Sequence, residues 1–217
     1  MSQDTMFYFS LAILIAAIIA LVRFRNVDPL YRPFLILVWV ASLTEIISHV
    51  LAKRYRNDAI SNNIYTLAEC MLYFWQFRNW GFFSAWKKVF SPLLAVFIIA
   101  WLVENLILSS PEVFNSFFPV LYSGTLVLMA IRQISILIVE VGGRLLTNAR
   151  FLICSGIIIF FTYTLLVKIF VYFDAGESRE FLVHIYYIII YVNLFVNLLF
   201  AFAILWMPRK PNFISRY

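Results

Sequence analysis

Seven long apolar runs, each continuous rather than alternating, constrain this chain more than any other feature. They lie at 6–22, 33–52, 64–80, 89–109, 117–139, 151–173 and 181–207. A helix rising about 1.5 Å per residue needs about 20 apolar residues to cross a hydrocarbon layer roughly 30 Å thick. Continuous apolarity excludes a membrane barrel, whose strands alternate between lipid-facing and lumen-facing residues. Residues of the hydrophobic classes make up 64% of the 217 positions. A water-soluble body of that size cannot hide such an excess and still show a polar surface. The expected fold is therefore all-α: a polytopic membrane protein, one seven-helix bundle occupying 1–217 with no soluble domain. The third run is the most polar, carrying Glu69, Gln76 and Arg78.

The net charge of +6 does not call for nucleic acid. Basic residues flank membrane spans and set their orientation, with lysine and arginine enriched on the cytoplasmic side. An outside N-terminus and a cytoplasmic C-terminus would put Arg23, Arg25, Arg32, Arg78, Lys87, Lys88, Arg144, Arg150, Arg209, Lys210 and Arg216 inside. Only Lys53, Arg54, Arg56 and Arg179 would then lie outside, so this orientation is expected. No basic residue precedes the first run, which argues for a retained span rather than a cleaved leader. Cys70 and Cys154 both fall inside spans and form no spacing motif. Short connectors leave no room for a kinase, cyclase or nucleotide-binding module, and they place consecutive helices side by side and antiparallel. Glycine and proline do not interrupt the middle of any span in the manner of broken-helix carriers.

The polar residues within the spans carry the chemistry. An ionisable group at bilayer depth costs several kcal/mol unless it is paired or hydrated, so each marks a candidate site. Counted from the outer ends, His49, Glu104, Lys168 and His184 lie about four or five residues deep, and Glu45 and Glu69 about seven or eight. Six ionisable residues from five helices would share one outer layer. Their neighbours recur at helical spacing: Ser42, Glu45 and His49; Asn62, Tyr65, Glu69, Tyr73 and Gln76; Thr164, Lys168 and Tyr172; His184, Tyr187 and Tyr191. Asn193 and Asn197 form a second stripe on the last helix. Stripes of this kind face a bundle interior or a water-filled hollow.

The expected pocket residues are Glu45, His49, Glu69, Tyr73, Glu104, Lys168, His184, Tyr187 and Tyr191. Glu45 and His49 at i, i+4, with Glu69 and His184, would supply a two-histidine, two-carboxylate set for a divalent metal, the one cofactor considered. The same residues as plain interhelical hydrogen bonds would only fix packing. The last span has no lysine for a Schiff base, two histidines are one short of a three-histidine zinc site, and no nucleophile motif occurs. The expectation is a small receptor-like or sensory binding module of a bacterial inner membrane. Its partners would be membrane lipids, a small-molecule or lipid ligand, and a cytoplasmic signalling protein. A lipid-active membrane enzyme and a proton-coupled carrier are the alternatives.

Overall fold

The computed structural model describes residues 11–110, 112–113, 117–141, 145–172 and 179–210. Among these the chain is helical, and its one β feature is an antiparallel bridge between Val27 and Arg209. The long helices are α1 (Ala12–Arg23), α2 (Arg32–Tyr55), α3 (Ala59–Asn79), α4 (Phe90–Val103), α5 (Phe117–Val141), α6 (Ala149–Tyr172) and α7 (Arg179–Trp206). A π-helical turn, Glu104–Leu108, extends α4. Residues 6–10 of the first expected span lie outside the described residues.

Among the described residues, five stretches are long and apolar enough to cross a bilayer: Pro29–Tyr55, Lys87–Leu108, Phe117–Glu140, Ala149–Ile169 and Tyr187–Trp206. Only 17–39% of the residues in their apolar windows are buried within the protein, so most of that surface needs a lipid solvent. The chain is an integral membrane protein. The described part of α1 is apolar but shorter, and α3 spends length on Asn62, Asn63, Glu69, Gln76 and Arg78.

α1 packs on α2 and α7, α2 on α3, α3 on α5, α5 on α6, and α6 on α7. These six helices close a ring, and α4 lies outside it against α3 and α5. Successive helices run in opposite directions, which gathers the end of α1, the start of α2, the end of α3, the start of α4, the start of α6 and the end of α7 at one face. That face is basic and tightly fastened. The Arg23 guanidinium donates to the carbonyls of Ile204, Leu205 and Met207, satisfying acceptors that the end of α7 leaves open and placing a cation at its negative pole. Beside it, Asp28 N–H donates to Pro208 O at 3.0 Å and Lys210 N–H to Asn26 O at 2.9 Å.

Gln76 completes the fastening from α3. Its Oε1 accepts the Phe34 N–H at 2.9 Å, one of the donors that the first turn of α2 cannot pair within the helix. Its Nε2 donates to Leu30 O at 2.7 Å. The sequence pattern set Gln76 on the stripe of Glu69, and the structure uses it as a clamp between α3 and the entry of α2. α3 itself stops in a Schellman turn. Gly81, at φ +82°, donates to Arg78 O, and Phe82 N–H donates to Phe77 O, with the Phe77 and Phe82 rings in contact.

The middle of the ring is filled by aromatic residues. Phe34 meets Phe200, Tyr73 meets Phe161, and Phe161 meets Tyr122, each edge-on with centroids 5.1–5.6 Å apart. Gly156 of α6 gives Phe200 its space: a Cβ there would collide with Cε1 of that ring and come within 3.1 Å of Cζ.

Two outcomes follow for stability. Replacing Gln76 with leucine strands a buried donor and acceptor, at a cost of about 1–3 kcal/mol; the midpoint of thermal unfolding in detergent should fall. Gly156→Ala should lower it through overpacking of about 1–3 kcal/mol. Adding Phe200→Leu should recover part of that loss, and strictly additive effects would contradict the contact.

Candidate functional site

The ring encloses a partly open cavity of about 350 Å³ in the half away from the basic face. All six ring helices contribute to its wall: Ile13 from α1, Thr44 and Glu45 from α2, Asn62, Tyr65, Thr66 and Glu69 from α3, Pro119 and Tyr122 from α5, Thr164 and Lys168 from α6, and Asn193 and Asn197 from α7. α4 contributes none of the described lining. A smaller hollow of about 60 Å³ continues below, narrowing among Phe34, Val38, Tyr73, Phe160, Val196 and Phe200. A polar chamber thus ends on an aromatic floor.

Glu69 stands at the junction of the two, only 6% exposed. Its Oε1 accepts the Tyr65 hydroxyl at 2.9 Å and its Oε2 the Tyr122 hydroxyl at 2.6 Å. Tyr65 lies one turn away on the same helix; Tyr122 reaches across from α5. One donor per oxygen fixes the carboxylate plane and leaves acceptor capacity directed at the cavity, since an ionised carboxylate offers about four lone-pair sites. Asn197 Nδ2 donates to Asn193 Oδ1 at 3.3 Å, keeping that pair on the opposite wall. The Thr164 hydroxyl is buried and has no protein partner. Trp80 Nε1, Asn105 Oδ1 and Ser123 Oγ share that condition away from the chamber lining, so the oxygen by itself does not point to an occupant.

Glu45, Glu69 and Lys168 are brought together around the chamber, and Tyr73 lines its floor. Glu104 lies outside the described lining but close enough to Lys168 for their charges to attract. Its carboxylate accepts the N–H groups of Phe117 at 2.8 Å and Phe118 at 2.6 Å, capping α5 with a charge that suits the positive end of a helix. His49 is half-buried and outside the described lining, near the Ser48–Ser61 hydroxyl contact that joins α2 to α3. Tyr187 is half-buried and Tyr191 is 55% exposed; neither lines the chamber. The side chain of His184 lies outside the described residues. Among the described residues no three of His, Cys, Asp and Glu gather closely enough to hold a metal ion, so the proposed set of Glu45, His49, Glu69 and His184 has no support from its described members.

Tyr122 was missed by sequence reasoning, because a single tyrosine in an apolar span carries no periodic signal. Asn62, Tyr65, Thr164, Asn193 and Asn197 stood on recognised stripes without being assigned to the pocket. Comparison of the chain with family models, with curated proteins and with solved structures found no match.

The two buried glutamates should respond differently to mutation. Glu104→Ala removes a charged cap and should cost about 1–3 kcal/mol, with Glu104→Gln retaining part of the stability. The midpoint of thermal unfolding in detergent reads both. Tyr122→Phe should instead disturb the chamber by releasing one oxygen of Glu69.

Proposed function

We propose that this protein is a small sensory or receptor-like binding module that crosses a bacterial inner membrane seven times, with its N-terminus outside. In this reading α1 and α3 are spans as well. α1 belongs to an apolar run that begins at residue 6, and α3 tolerates Asn62, Glu69 and Gln76 because neighbouring helices and the chamber take up their polar groups. The basic face is then cytoplasmic, in keeping with the distribution of lysine and arginine, and the chamber opens toward the outer side.

The observation that carries the reading is the chamber: a hollow within the usual size range of small-molecule sites, lined by two glutamates and a lysine. Packing alone would have closed it with apolar side chains. A ligand bearing a cationic or hydroxyl group would meet Glu69 and Glu45, and an anionic group on the same molecule would meet Lys168. Asn193 and Asn197 would supply neutral hydrogen bonds. The described chain has no output domain, so a partner protein would read the occupied state at the basic face. α1 and α7 are joined there by Arg23 and the Val27–Arg209 bridge, and α7 contributes Asn193 and Asn197 to the chamber wall. A shift of α7 on ligand binding would therefore be felt at that joint.

Native mass spectrometry of protein released gently from its membrane tests the reading. A stoichiometric small molecule or lipid should remain bound to the wild type and be lost from Glu69→Gln and Asn193→Val. An empty wild type whose two variants unfold at its own midpoint would reduce the chamber to a packing defect.

A further inference from the structure

A second hollow, of about 330 Å³, lies on the basic face at the α3–α4 turn, and Arg78, Gly81, Phe83, Ser84, Lys87 and Phe90 line it. We propose that it binds the phosphate of an anionic membrane phospholipid whose acyl chains lie along α4. The site is separate from the polar chamber and does not depend on the chamber's function.

Charge comes first. Arg78 and Lys87 both line the hollow, and no carboxylate is among its described lining residues. The Arg78 guanidinium lies 4.6 Å from the centroid of the Phe90 ring, a cation–π contact that holds it at the wall instead of leaving it to sweep through water. The Ser84 hydroxyl adds a neutral donor. Gly81 leaves open space, with no atom within 4 Å of where a Cβ would stand. The Schellman turn that requires glycine at this position therefore also keeps the hollow unfilled.

Depth comes second. Trp86 is 65% exposed, and Lys87 and Lys88 follow it, a composition typical of the membrane–water boundary. Arg132 of α5 stacks on Phe82 and Trp86, at 4.7 and 5.9 Å from their centroids, and so pins the turn to the bundle at that level. Basic pockets at such boundaries suit lipid headgroups.

The third point separates a lipid from a free anion. α4 begins at this turn and is the least buried of the five apolar stretches, at 17%. Val89, Val96, Ile99 and Leu102 stand exposed along it. An occupant with a phosphate at the turn and hydrocarbon along these residues would cover both surfaces together.

The test is native mass spectrometry of the full-length protein with phosphatidylglycerol and phosphatidylcholine of identical acyl chains. Wild-type protein should retain phosphatidylglycerol preferentially. Arg78→Gln and Lys87→Gln should each weaken retention about fivefold, and Ser84→Asp should abolish the preference by placing a negative charge in the hollow. Arg25→Gln, an exposed cation on the same face but outside the hollow, should leave it unchanged. Because Lys87 is exposed and serves no described structural bond, its variant remains informative if Arg78→Gln folds poorly. Equal retention of the two lipids by the wild type would overturn the proposal. So would a loss of preference in Arg25→Gln as large as in Lys87→Gln, or inorganic phosphate binding as tightly as the lipid.

Discussion

In hydrocarbon there is no water to satisfy a backbone or side-chain polar group, so each one at bilayer depth has to find its partner within the protein. Much of the architecture follows from how this chain meets that condition. Gln76 supplies both a donor and an acceptor to the entry of α2. Glu104 takes two open amides at the start of α5. Arg23 accounts for the carbonyls at the end of α7. In each case a polar side chain from one helix closes the terminus of another. The terminus that would cost most in lipid becomes the point where two helices are joined.

Glu69 does not fit that pattern. It is as buried as Glu104, yet it caps nothing; two tyrosine hydroxyls hold it at the wall of a polar chamber. The contrast divides the molecule into two halves of different character. Toward the basic face, side chains and backbone interlock and the bore is closed by aromatic rings. Toward the other face, the hydrogen-bonding capacity of Glu69, Thr164, Asn193 and Asn197 exceeds what the described packing uses. That capacity is left for whatever fills the chamber, water or ligand. The proposed binding function rests on this imbalance more than on any single residue.

The all-helical class and the helix positions follow from apolar run length, and the described helices lie close to the expected runs: Arg32–Tyr55 against 33–52, and Ala149–Tyr172 against 151–173. Helical periodicity also identified which faces of α3 and α6 turn inward. What periodicity cannot give is the partner across the bundle. Gln76 and Glu69 share a stripe, but one meets the start of α2 and the other a tyrosine of α5, and that difference is set by the vertical register of neighbouring helices. Glu104 looked equivalent to Glu69 for the same reason; its use as a cap depends on where α5 begins, thirteen residues later in sequence. Tyr122 was invisible because its role exists only opposite Glu69. The basic residues of the α3–α4 hollow were legible only as span-flanking charge, since its concavity arises from the Gly81 turn.

Water access to the chamber is the property on which the account turns, and site-directed thiol labelling measures it directly. Cys70 and Cys154 are fully buried, so the native background should be silent. Single cysteines at Asn62 and Asn193, on facing walls of the chamber, should react in intact cells with a membrane-impermeant reagent applied from outside. A cysteine replacing Leu35, fully buried and lining neither hollow, should not. Protection of both chamber positions, or their labelling only from the cytoplasmic side, would contradict an outward-opening binding chamber.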